Sequence, residues 1–137
     1  MDWPKEIAAT AKQILVIDDQ PLIRDLLVCL LEADGHRVFA AASGKEGLVL
    51  ARVLPLDLIL LDVDMPGLNG LEVCAELKGG AATSQVPVIF ISGRLSAHDR
   101  QQMTAVGAAG FLPKPFLLEQ VRQAVNGLLG GTVNTGF

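Results

Sequence analysis

Five short aliphatic runs recur along the 137 residues: Ile14 to Ile17, Val38 to Ala42, Leu58 to Leu61, Val86 to Ile91 and Gly110 to Leu112. Each is followed by a stretch of helical character. The first, third and fourth runs are almost unbroken aliphatic, as expected of strands covered by helices on both faces of a parallel sheet. The second and fifth are richer in Ala and Gly and are expected nearer the sheet edges. A chain of this length is expected to fold around one core. We take that domain as residues 13–129, with an N-terminal extension at 1–12 and a flexible Gly/Thr/Asn-rich tail at 130–137.

The intervening helices can be placed from their punctuation. Pro21 suits a first helical turn, where a missing N–H is harmless. Behind it Leu22/Ile23, Leu26/Leu27 and Leu30/Leu31 repeat every four residues until Gly35. Ser43-Gly44-Lys45-Glu46 has the spacing of a capping box, and Pro55 marks the exit of that second helix. The third helix is expected to follow Asn69 and reach about Lys78. The fourth covers roughly Ser96 to Val106, and the fifth aligns Leu118, Val121, Val125 and Leu128 on one face.

Half the residues are hydrophobic and no low-complexity tract interrupts them, so a packed core is expected rather than disorder. Eleven basic against fifteen acidic side chains give a net charge of -4, which lacks the basic excess that attracts nucleic acid or anionic lipid. No direct nucleic-acid or membrane binding is expected. Cys29 and Cys74 each fall within an apolar helical pattern and read as buried free thiols, consistent with a cytoplasmic protein. No signal peptide and no run of eighteen apolar residues is visible.

Five strand–helix units joined by right-handed crossovers make an open, doubly wound α/β sheet, whose ligands bind beyond the carboxyl ends of the strands. Those ends carry Asp18-Asp19 after strand one, Asp62 closing strand three, Ser92 closing strand four and Lys114-Pro115 after strand five. Carboxylates gathered at one point repel each other unless a cation joins them, and an all-oxygen set suits a hard ion such as Mg²⁺. A lysine and a hydroxyl aimed at the same place provide the charge and hydrogen bond that a phosphoryl group needs. Taken singly, each residue has an ordinary reading: a helix N-cap for the acid pair, turn formers at Asp62 and Ser92, a solvated charge at Lys114. Their coincidence at matching strand ends is what points to phosphoryl chemistry.

Four motifs, Ile14-Leu15-Val16-Ile17-Asp18-Asp19, Leu61-Asp62-Val63-Asp64-Met65-Pro66-Gly67-Leu68-Asn69-Gly70, Ile91-Ser92-Gly93 and Gly110-Phe111-Leu112-Pro113-Lys114-Pro115, resemble the response-regulator receiver (CheY-like) family of two-component phosphorelay signalling. The likeness spans about Gln13 to Leu129. It implies a flavodoxin-like three-layer sandwich with strand order 2-1-3-4-5. It makes Asp62 the phosphoacceptor, served by a phosphohistidine on a histidine kinase or histidine phosphotransfer protein. Asp19 and Asp62 would ligate Mg²⁺ directly, Asp18 through water, and Asp64 through its backbone carbonyl. Lys114 would bind the phosphoryl group, followed by a cis peptide bond to Pro115. Ser92 and Phe111 would switch together and alter the face formed by helix four, strand five and helix five, where a downstream protein or a second copy would dock. Plain core packing is the alternative reading of Phe111.

Asp64 and Arg94 occupy the two positions that in this family tune phosphoryl lifetime. Their opposite charges suggest that Arg94 reaches Asp64, or the phosphoryl group, and restricts water; two independently solvated charges are the alternative. Two rival functions remain. Asp62-Val63-Asp64 also resembles the Asp-x-Asp nucleophile motif of haloacid-dehalogenase-type phosphatases, although that motif closes a first strand rather than a third. A receiver that serves only as a docking module would lack the acceptor or the acid pair, and both are present here. No effector domain is visible, which suits either a stand-alone receiver or one excised from a longer regulator.

Overall fold

A computed structural model describes residues 11–130. Five strands, β1 (Gln13–Ile17), β2 (Arg37–Ala41), β3 (Leu58–Asp62), β4 (Val88–Ser92) and β5 (Gly110–Pro113), form one parallel sheet in the order β2-β1-β3-β4-β5. The Ala- and Gly-containing runs are the two edges, as expected. Every residue of β3 and β4 is buried. Alternation within the strands feeds two cores. Leu15, Ile17, Ile59, Leu61, Val88 and Phe90 face α2 (Gly44–Val53), α3 (Gly70–Gly79) and α4 (Ala97–Ala105). Ile14, Val16, Leu58, Leu60, Ile89 and Ile91 face α1 (Pro21–Ala33) and α5 (Leu118–Leu129). Truncating any of these fully buried aliphatic side chains to Ala should cost about 2–5 kcal/mol. The result is the three-layer, flavodoxin-like arrangement.

Several local expectations need correction. The fourth strand starts at Val88 rather than Val86, because Pro87 has no N–H to give a central ladder; its carbonyl still accepts from Ile59 N at 3.0 Å. Ser43 accepts from Glu46 N, but the Glu46 carboxylate caps the amide of Ala42 at 2.6 Å instead of that of Ser43. The complete boxes lie at Asn69/Glu72 and Ser96/Asp99, starting α3 and α4. On α1 the first member of each of the first two pairs turns to solvent, whereas both members of the third turn inward. Leu27, Leu30 and Leu31 are buried, whereas Leu22 is 79 % and Leu26 40 % exposed. Cys29 lies one further turn along that outward stripe and is exposed, contrary to the buried thiol expected; Cys74 is buried and donates to Val106 O. On α5, Val121 and Val125 are buried but Leu118 and Leu128, expected on the same face, are exposed. Residues 1–10 and 131–137, most of the expected extension and tail, lie outside the described residues.

Candidate functional site

Parallel strands all end at the same edge, so the acidic and basic residues that follow β1, β3 and β5 meet there. Asp18 continues β1 and is tied to β2 by its amide, which donates to Ala41 O at 3.1 Å. Arg24, one turn into α1, donates to Asp18 O at 2.8 Å, and Gln20 N donates to Asp18 Oδ1 at 2.8 Å. Asp18 is therefore held on three sides. Asp62 ends β3 with 2 % of its surface exposed, and Val63 N extends the ladder to Ile91 O at 3.2 Å. The Asp64 amide turns back to donate to Asp62 Oδ1 at 3.3 Å. From beyond β5, Lys114 N donates to Ser92 O at 2.9 Å, and the Lys114–Pro115 peptide bond is cis. The ammonium of Lys114 then lies 3.2 Å from Asp18 Oδ2 and 3.4 Å from Asp62 Oδ2.

Each of Asp18, Asp19 and Asp62 offers one oxygen to a cluster whose members lie within 4.8 Å of one another. Asp18 Oδ2 is the one buried side-chain oxygen or nitrogen among the described residues that lacks a hydrogen bond, since its contact with Lys114 is an ion pair without hydrogen-bond geometry. A buried, unbonded carboxylate oxygen in an all-oxygen cluster fits a hard divalent cation. Burial, and then the neighbouring Asp18 charge, push the Asp62 carboxyl up from 3.8 to about 6; Lys114 and the Asp64 amide oppose that rise only in part. The cluster opens onto a cleft of about 580 Å³ lined by Asp19, Leu22, Asp62, Asp64, Lys114 and Pro115.

The remaining expected residues are not in the cleft. Ser92 is buried, and its hydroxyl donates to Arg94 O at 3.0 Å while accepting from Arg94 N at 2.9 Å. It lines a separate small cavity of about 60 Å³ with Val63, Leu71, Arg94, Gln102 and Met103. Phe111 is partly buried against the core beneath α2, α3 and α4, in register with Phe90. Arg94 does reach Asp64: its guanidinium donates to the Asp64 carboxylate across the mouth of the cleft, with both side chains largely in solvent. Sequence reasoning missed Arg24. A lone arginine on an amphipathic helix carries no signal, and only the fold reveals that it reaches the Asp18 carbonyl.

A parallel sheet in this order is the CheY-like flavodoxin fold, and here it carries a metal-fitting acid cluster with a lysine at its carboxyl edge. The sequence model of the response regulator receiver domain matches residues 14–126, and the chain belongs to that family. Protein PilH of Pseudomonas aeruginosa is 36 % identical over 87 % of this chain and 98 % of its own length. The chain spans about half the length of several other curated relatives it matches, including transcriptional regulators. Among solved structures, the chemotaxis protein CheY4 of Vibrio cholerae superposes with a TM-score of 0.84 and 30 % identity, covering 86 % of this chain and 98 % of that one. The receiver domain of a Pseudomonas aeruginosa sensor histidine kinase, with a magnesium ion coordinated in its active-site cleft, gives 0.81 and 25 %, covering 88 % and 99 %. The chain is therefore a receiver domain of two-component signalling, a signalling domain in which phosphorylation on Asp with Mg²⁺ is expected. No helix among the described residues is long and apolar enough to cross a membrane.

Proposed function

We propose that Asp62 accepts a phosphoryl group from a phosphohistidine of a histidine kinase or histidine phosphotransfer protein, and that this switches the α4-β5-α5 face for a protein partner or a second copy. The observation that carries the reading is the convergence of Asp18, Asp19, Asp62 and Lys114 at one buried point. The residues that would hold Mg²⁺ are the carboxylates of Asp18, Asp19 and Asp62 with the backbone carbonyl of Asp64. Mg²⁺ held by these residues would supply positive charge that offsets that of the acids and of the incoming phosphoryl group.

An Asp62 carboxylate oxygen attacks phosphorus as the phosphorus–nitrogen bond breaks. The departing imidazole keeps the electron pair and takes a proton from solvent. Lys114 already spans Asp18 and Asp62, so its ammonium can follow the charge onto the transferred group without leaving the site. Ser92 has to release both bonds to Arg94 before its hydroxyl can reach that group. The space it vacates gives Phe111 room to turn inward, which couples the charge event to β5 and its flanking helices. Leu22, exposed at the cleft, and Leu26, exposed one turn further along α1, provide apolar surface against which a phosphohistidine-bearing partner can pack. Free thiols suit a cytoplasmic setting. The Asp64 carboxylate is engaged by Arg94, which argues against its acting as the acid/base of a phosphatase and for a lifetime-tuning role at the mouth.

The test is intact mass after incubation with Mg²⁺ and acetyl phosphate. Wild type should gain one labile phosphoryl group and Asp62→Asn none. An equal gain by both proteins, or no gain by either even with a kinase supplied, would defeat the proposal. Steady release of phosphate from unrelated phosphomonoesters would support the hydrolase instead.

A further inference from the structure

The acceptor's backbone is wedged from behind by a position that has no side chain. A Cβ built on Gly70 would stand 2.4 Å from Asp62 O, 2.7 Å from Val63 Cα and 3.0 Å from Asp62 C. All three neighbours are backbone, so no rotamer change can relieve the contact. Neither side of it is free to retreat. Gly70 opens α3, whose start is fixed by the reciprocal bonds of Asn69 and Glu72, and its own amide donates to Val63 O at 2.9 Å. Asp62 is fixed in the sheet beside Ile91, and Val63 N donates to Ile91 O.

We infer that Gly70 is a positioning residue for the phosphoacceptor: its missing side chain lets the end of α3 seat directly under the Asp62–Val63 peptide and sets the placement of the Asp62 carboxylate and of Asp64. This rests on the reading of Asp62 as acceptor. An ordinary carbon–oxygen contact is about 3.3 Å, so an added methyl displaces the peptide by roughly 0.9 Å. The displaced segment carries the Asp64 N–H that donates to Asp62 Oδ1 and the Asp64 carbonyl of the proposed metal set. Displacements of this size cost reactions that depend on alignment on the order of 10²-fold.

The experiment compares full-length Gly70→Ala with Leu77→Ala, which opens a cavity at the far end of the same helix and loses stability without touching Asp62. Mg²⁺ affinity is read by calorimetry, and the maximal phosphorylation rate is read at saturating Mg²⁺ and acetyl phosphate, both corrected for the folded fraction. Gly70→Ala should weaken Mg²⁺ binding and slow phosphorylation by tenfold or more, while Leu77→Ala keeps both near wild type. Wild-type affinity and rate in folded Gly70→Ala would overturn the inference and leave the acceptor assignment standing, since that depends on Asp62→Asn. If Gly70→Ala does not fold alone, it is measured in trimethylamine N-oxide, which favours compact states. Failure to fold even there would also overturn the inference, by assigning the glycine to the fold itself.

Discussion

Replacing Asp62 by Asn should stabilise the metal-free protein, because its carboxylate is held where ionisation is unfavourable. Burial and the Asp18 charge lift its pKa from 3.8 to about 6. The folded protein thus holds this proton more tightly than the unfolded chain. The group's contribution is fully present below about pH 4 and is lost as pH rises through about 6. At about 1.4 kcal/mol per pH unit, the gap between the two values amounts to roughly 3 kcal/mol at neutral pH. The neutral carboxamide introduced by Asp62→Asn would remove that loss, and its oxygen can keep the bond from the Asp64 amide. Urea denaturation in chelator is the assay. The variant should exceed wild type by about 3 kcal/mol near pH 7, by about half that near pH 5, and by little near pH 4. A variant no more stable than wild type at neutral pH, or an advantage that does not change with pH, would refute the reasoning.

Three further outcomes follow from the same geometry. Removing Lys114 leaves two buried carboxylates facing each other, so Lys114→Met should lose about 3–5 kcal/mol in chelator and recover part of it in Mg²⁺; no loss in chelator would mean the lysine does not offset that repulsion. The exposed Arg94–Asp64 pair is worth at most about 1 kcal/mol, so Arg94→Ala should speed loss of the phosphoryl group by up to about fivefold, and high salt should bring wild type toward the variant. An unchanged dephosphorylation rate would dismiss the water-restricting role. His36 is buried with Nδ1 accepting from the Lys12 amide, and its burial lowers the pKa despite Asp34. In an Asp62→Asn background stability should therefore fall as pH drops below 6.5, and adding His36→Gln should flatten that slope. A slope unchanged by the substitution would mean His36 is not its source.

The fold was legible because the continuous aliphatic runs at β1, β3 and β4 can be buried only between two helical layers. The acid cluster was legible because parallel strands end together, so residues far apart in sequence had to meet. What escaped were choices between equivalent surfaces. Nothing in the pattern of Leu22/Ile23 and Leu26/Leu27 says which member of each pair faces the sheet, and Cys29 follows the exposed member. Ser92 was placed correctly at a strand end, but its hydroxyl has a nearer partner in the Arg94 backbone, a contact set by the turn. Gly70 entered the sequence reading as the last residue of the second motif, just after Asn69, with no role of its own. Its close approach to the Asp62 carbonyl arises where α3 packs against the end of β3, and a single residue type cannot announce that.

The most direct test of Asp62 as the acceptor is to trap the phosphoryl bond where it forms. After reaction with acetyl phosphate and Mg²⁺, borohydride reduces an aspartyl phosphate to homoserine, and peptide mass mapping locates that residue. Homoserine in place of Asp62, and nowhere else, is the expected result. Homoserine in place of Asp18, Asp19 or Asp64, or none in a protein that has gained phosphate, would contradict it.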